Sequence, residues 1–155
     1  MVKPSIDHVD KHYPTDESWI ERLGEKGFGV FSEYGLDPAE HMGTTDKKEA
    51  GRMVREWLVS YIAGAPVVAM VIEGVHAVDM VRKIVGPTLP NKAEIGTIRG
   101  DYSIDSPAAA NLSKRAVKNL IHASENPQEA EHEIAHWFAQ EEIFDYDRSD
   151  YSAMF

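Results

Sequence analysis

Along the chain, apolar positions at helical spacing alternate with short turn-rich interruptions. Trp19, Ile20 and Leu23 form a brief helical pattern, followed by Gly27-Phe28-Gly29 and a turn-rich stretch from Gly35 to Gly43. From about Asp46 the spacing of Met53, Val54, Trp57, Leu58 and Tyr61 predicts a helix that Gly64 ends. Pro66 to Ile72 is almost wholly apolar and β-branched, which predicts a buried strand closed by Glu73-Gly74. Val75 to Ile84 reads as the next helix, with Val78, Val81 and Val85 inward. The segment GPTLPNKAEIGTIRGDYSIDSP contains three Gly and three Pro, which excludes a regular element, and irregular stretches of that length are commonly functional. Ala108 to Lys118 predicts a helix and Asn119 to Ala123 a short strand. Ser124, Pro127, Glu129 and Glu131 then signal the start of a helix that runs to about Phe138. The remaining tail has no strong period.

Composition narrows the class. The 155 residues are 43% apolar and 27% charged, the profile of one folded domain, and the absence of cysteine excludes disulfides, Cys-ligated zinc and thiol nucleophiles. No apolar run has the length of a membrane span, and the polar first fifteen residues do not read as a signal peptide, so the expectation is a soluble cytoplasmic chain. Net charge is -10, which argues against nucleic acid as a partner. The charge is uneven, however. Residues 82–118 carry seven basic and three acidic side chains, whereas 1–81 and 119–155 are both strongly acidic. A positive island in an acidic surface attracts a small anion while the rest repels polyanions.

His122 closes the second predicted strand just before a helix start, with Asn119 and Ser124 beside it and Glu133 eleven residues on. Arg82, Thr88 and Arg99 precede it on or near the long irregular segment. Phosphoryl transfer uses this set: cationic and hydrogen-bonding groups on the phosphate oxygens, an imidazole as nucleophile, and a carboxylate that fixes the tautomer. A competing pattern is His132-Glu133-Ile134-Ala135-His136, the H-E-x-x-H of zinc metalloproteases. Its extended form needs Gly and His where Ala139 and Glu142 stand, and a distant carboxylate ligand could come only from Asp145, Asp147 or Asp150. A helical wheel puts His132 and His136 away from the stripe of Ala130, Ile134, Trp137 and Phe138, with Glu133 at its margin, which predicts two solvated His and an inward carboxylate. His8, His12, His41 and His76 have no such company and read as structural or exposed.

The ordered blocks GAPVVAMVIEG (64–74), VRKIVGPTLP (81–90), GTIRGDY (96–102), NLIHASE (119–125), AEHEIAHWF (130–138) and EEIFDY (141–146) resemble those of nucleoside diphosphate kinases. The resemblance implies an α/β (α+β) fold, a ferredoxin-like antiparallel sheet with helices, in a single domain over 1–155 with an insertion at about 14–51. It implies that His122 is phosphorylated by a nucleoside triphosphate and passes the group to a nucleoside diphosphate in a ping-pong reaction. Ser124 and Glu133 match the partners of that histidine, Asn119 and Arg99 the contacts to sugar and phosphates, and Arg82 and Thr88 phosphate ligands. Leu58 matches a residue near the base, Val54 stands where the family usually has an aromatic ring, and Tyr13 matches the tyrosine near the catalytic site. Mg²⁺ is implied as a companion of the phosphates, with no dedicated protein metal site, and a homo-hexamer or tetramer as the assembly. The family's first strand, Lys-Pro-Asp-Gly motif, helix and second strand have no counterpart, and Lys3-Pro4 does not fill that place. Such a chain is expected to have an incomplete sheet, and a catalytically impaired nucleotide-binding remnant is the alternative to an active kinase.

Overall fold

Helices account for every regular element in the computed structural model, which describes residues 1–146, 149 and 151–154. They are α1 (Ile6–His12), α2 (Glu17–Glu33), α3 (Pro38–Met42), α4 (Lys47–Ala63), α5 (Ala77–Val85), α6 (Ile98–Tyr102), α7 (Pro107–Leu112), α8 (Pro127–Trp137) and α9 (Tyr151–Met154), with short 3₁₀ turns at Pro90–Lys92 and Gln140–Glu142. Their starts are written in the sequence. Ser5, Asp16, Asp37, Asp46, Thr97, Ser106 and Asn126 each accept a backbone N–H of the first turn, and Pro38, Pro107 and Pro127 take early positions where no N–H is required.

The α2–α4 pair organises the core. Phe31, Met42 and Ala50 are buried, with Phe28, Leu36, Met53, Val54 and Trp57 packed against them. The two helices approach so closely that a Cβ on Gly24 would sit 1.8 Å from the Lys47 carbonyl oxygen, and one on Gly51 would sit 2.0 Å from that of Ile20. Gly27 and Gly29, expected to interrupt the chain, instead lie inside α2, which continues through them to Glu33. The proposed insertion, 14–51, holds α2, α3 and the first turn of α4.

α1, which the periodicity did not predict, is fixed to α4 at its C-terminal end. Val9 is fully buried. The Arg55 guanidinium donates to the carbonyls of Asp10, Tyr13 and Pro14 and to the Asp10 carboxylate at 2.6 Å, satisfying acceptors that the end of α1 leaves open.

The expected ferredoxin-like sheet is absent among the described residues. Pro66–Ile72 makes one antiparallel bridge, Val2 to Val67, and Val68, Met70 and Ile72 are more than half exposed. An apolar β-branched run reports a preference for a buried ladder, but a strand needs neighbours for its N–H and C=O groups, and no further described segment pairs with this one. Asn119–Ala123 is not a strand either. The Ile121 N–H donates to the Asn119 carbonyl at 2.8 Å across Leu120, whose φ is +70°. That is a γ-turn, a conformation in which a branched residue is strained. The helix expected over 108–118 stops at Leu112, where Lys114 enters the left-handed region at φ +49°.

Candidate functional site

The γ-turn at Leu120 delivers His122 to the middle of α8. Its Nε2 lies 2.6 Å from Glu133 Oε1, and the Ser124 hydroxyl donates to Glu133 Oε2 at 2.6 Å. Since the carboxylate occupies Nε2, the other ring nitrogen, Nδ1, is the one left for chemistry. The His122 side chain is half exposed, while that of Glu133 is only 12% exposed. Burial pushes the Glu133 carboxyl upward, but the hydrogen bonds from His122 and Ser124 outweigh it, and the net displacement is below the ordinary glutamate value. Glu133 is thus a carboxylate near neutrality, able to orient the imidazole and to stabilise a positive ring.

Arg99 holds the approach to this centre. Only 7% exposed, its guanidinium donates to the carbonyls of Gly86 (2.9 Å), Asn119 (3.2 Å) and Ile121 (2.5 Å). The Asn119 side-chain amide in turn donates to the Thr88 carbonyl at 3.3 Å. Arg99, Asn119 and Thr88 therefore tie the loop after α5 to the residues directly before His122. Burial, and then the nearby Arg82 charge, pull the Arg99 pKa down from its usual value. Arg82 lies on a groove of about 330 Å³ whose lining also includes Lys83, Lys92 and Thr97, part of the positive island.

The other sequence candidates divide. Tyr13 follows α1 directly, and its hydroxyl is pushed up to about 12, first by burial and then by the Glu133 charge. Val54 packs on α2 in the core, where a Cβ on Gly27 would touch it at 4.0 Å, so this structure does not bring it to His122. Leu58 is half-buried on α4.

His12, which reads from sequence as structural or exposed, is buried against the catalytic candidates. Its side chain is 6% exposed, its Nε2 is 3.7 Å from Glu133 Oε1, and its ring meets that of His122 edge-on at 5.1 Å. Burial, and then the His122 charge, push its pKa down to about 4, so it is neutral near pH 7. Helical periodicity could not signal this contact, because α1 and α8 are more than a hundred residues apart. The one local hint was its position beside Tyr13 in HVDKHYP. His8 has a packing role: it stacks on His136 with ring centroids 4.2 Å apart.

That stack alters the reading of H-E-x-x-H as well. His132 is exposed, as expected, but His136 is half-buried and its Nε2 donates to the His8 carbonyl at 2.9 Å. Among the described residues, the group with converging ligand atoms is His12, His122 and Glu133, not the H-E-x-x-H pair. Asp147 and Asp150, two of the conceivable third ligands, lie outside the described residues.

Comparison with known proteins agrees with the blocks of sequence around this site. The nucleoside diphosphate kinase family model matches residues 1–143. A nucleoside diphosphate kinase of Pyrobaculum aerophilum is 48% identical over 145 residues, which are 94% of this chain and 79% of that protein. The crystal structure of an NDP kinase from Pyrobaculum aerophilum superposes with a TM-score of 0.88 at 47% identity, covering 93% of this chain and 79% of that one. A transition-state mimic of the Borrelia burgdorferi nucleoside-diphosphate kinase, with bound vanadate and ADP, gives a TM-score of 0.62 at 35% identity, covering 84% of this chain and 70% of that one. With a match across nearly its whole length, the chain belongs to the nucleoside diphosphate kinase family.

Proposed function

We propose that the family's phosphotransferase reaction runs in this chain through Nδ1 of His122, in two half-reactions. The lone pair on Nδ1 attacks the γ-phosphorus of a nucleoside triphosphate, the bond from phosphorus to the β,γ-bridging oxygen breaks, and a nucleoside diphosphate leaves. A second nucleoside diphosphate then attacks the phosphohistidine with a terminal β-phosphate oxygen and carries the group away, restoring the neutral imidazole. The Nε2 proton stays in place throughout and bonds to Glu133, which stabilises the charge that the ring acquires as the N–P bond forms. Ser124 holds the second carboxylate oxygen, so Glu133 cannot rotate away. The observation that carries this reading is the His122–Glu133–Ser124 chain, with both contacts at 2.6 Å.

Arg82 and the positive island supply the field that draws the phosphates in, with Thr88 and Asn119 at the loop beside them. The bound ADP and vanadate of the Borrelia relative support nucleotides as the substrate class. Mg²⁺ enters as part of the substrate, carried by the phosphates. The nitrogen-rich group of His12, His122 and Glu133 is poorly suited to a hard, oxygen-preferring ion, which supports a magnesium held chiefly by phosphate. No described helix is long and apolar enough to cross a membrane. We further read the chain as a cytoplasmic homo-oligomer, the exposed apolar side chains of Val68, Met70 and Ile72 supporting the assembly.

Incubation with γ-labelled ATP and Mg²⁺ tests the proposal. The expected product is an acid-labile, alkali-stable label that added nucleoside diphosphate discharges and that His122→Ala lacks. Label of the same stability on the alanine variant would overturn the assignment, and a folded parent that takes up none would identify a nucleotide-binding remnant.

A further inference from the structure

Trp137 ends α8, and its indole Nε1–H donates to His12 Nδ1 at 3.3 Å. A neutral imidazole that accepts at Nδ1 carries its proton on Nε2. That N–H faces Glu133 Oε1, which lies 3.7 Å from His12 Nε2 and is the same oxygen that His122 Nε2 approaches to 2.6 Å. The separation is too long for a hydrogen bond, and the contact is a dipole directed at a charge. The opposite tautomer would make two repulsive contacts, an N–H against the indole N–H and a lone pair against the carboxylate. The geometry thus selects one tautomer from both sides of the ring.

We propose that Trp137 and His12 form a positioning pair, in which the indole fixes the His12 tautomer and the His12 N–H dipole keeps Glu133 Oε1 directed at His122 Nε2. His122 is then held with Nδ1 turned outward. The surrounding contacts favour a fixed arrangement. The His8–His136 stack and the His136 bond to the His8 carbonyl register α1 against α8, and Arg55 holds the carbonyls at the end of α1. The His12 ring also packs edge-on against His122, so it restricts rotation of that side chain. Its tautomer bears on metals too. The ligand atoms of His12, His122 and Glu133 lie within 4.8 Å of one another, but a cation there would have to displace the Nε2 proton and break the indole bond.

This inference rests on the reading of His122 as the phosphorylated residue, and its test separates the two. Long-range ¹H–¹⁵N correlation on the unphosphorylated parent reads the His12 tautomer without any turnover, and Nε2–H is expected. In Trp137→Phe the ring loses its donor partner, so the Nδ1–H form gains population and phosphoenzyme formation slows by about tenfold. The acid limb of that rate moves up by about half a pH unit, because a carboxylate relieved of the His12 dipole holds the His122 proton more strongly. The titratable groups facing His12 are Glu133, His132 and His136 from α8, and His122. A merely structural role for Trp137 would lower the melting temperature and leave the limb in place.

An Nδ1–H tautomer in the parent overturns the proposal, whether or not the variant folds. So does a Trp137→Phe protein whose tautomer shifts while its rate and acid limb stay parental. A parent with the expected tautomer but no label on His122 would instead sink the phosphohistidine reading.

Discussion

Removing the Arg99 guanidinium should loosen the segment that presents His122, and the structure sets the size of the effect. Arg99→Met keeps much of the aliphatic stem but deletes three donors, to Gly86, Asn119 and Ile121, from a side chain that is 7% exposed. Hydrogen bonds from a charged donor contribute roughly 1.5–3 kcal/mol each, a gross loss of about 5–9 kcal/mol. Two terms reduce it. The variant no longer buries a charge, and residues 119–121 lie near enough to the surface for water to reach their carbonyls. The expected net destabilisation is about 3–4 kcal/mol. Urea unfolding at pH 7 measures it as a fall in midpoint at constant slope. Arg99→Lys should recover only part, since one ammonium cannot span three carbonyls fixed by a planar fork. Amide exchange at Ile121 should accelerate in both variants, and phosphoenzyme formation should fall with it. A loss under about 1 kcal/mol for Arg99→Met, or full recovery by lysine, would refute the idea that the three carbonyl bonds hold this segment.

Four further outcomes are expected. Gly51→Ala should cost about 3 kcal/mol or more and lower the thermal midpoint followed by circular dichroism, because its Cβ would lie 2.0 Å from the Ile20 carbonyl oxygen; an unchanged midpoint would mean that the α2–α4 crossing is looser than described. The Asp105 carboxyl, held down to about 2 chiefly by Arg115, contributes stability that is present above the unfolded aspartate pKa and is lost as pH falls through 2. Asp105→Asn should therefore cost on the order of 1–2 kcal/mol in urea at pH 7 and little near pH 2. His12 has the same sign from a different cause, burial: the unfolded chain takes up its proton below about 6.5 and the folded chain only near 4, so stability should decline as pH falls across that window, by about 3 kcal/mol in all, and His12→Phe should flatten that slope in pH-dependent unfolding. Exposed His132 makes none of the contacts of the catalytic chain, so His132→Ala should leave phosphoenzyme formation within about twofold, and a larger loss would revive a role for the H-E-x-x-H motif.

Much of the helical layout was legible because its signals are local. The spacing of Met53, Val54, Trp57, Leu58 and Tyr61 with Asp46 in front and Gly64 behind matches α4 closely, and Asn126-Pro127 opens α8 where the charges implied. Where packing competes with propensity, local signals failed. Gly24 sits inside a helix because the α4 backbone comes against it, and Pro66–Ile72 lacks a ladder because a strand's stability lies in its neighbours. α1 was missed for a simpler reason: seven residues offer too little period to register.

The sequence by itself determined the family and its chemistry, since five or six ordered blocks carry residue types whose roles depend on identity: an imidazole, a carboxylate, guanidinium groups. Tertiary structure decided how those groups are used. Sequence placed Glu133 eleven residues from His122, but the turn at Leu120 and the start of α8 set the 2.6 Å contact. It offered Arg99 as a phosphate ligand, and the fold commits its guanidinium to three backbone carbonyls. It gave His12 no role, and the packing of α1 on α8 puts that ring against His122. The physical reason is the same in each case. Chemical capacity belongs to a side chain, whereas burial, tautomer and hydrogen-bond partner are set by groups distant in the chain that only folding brings within a few ångströms.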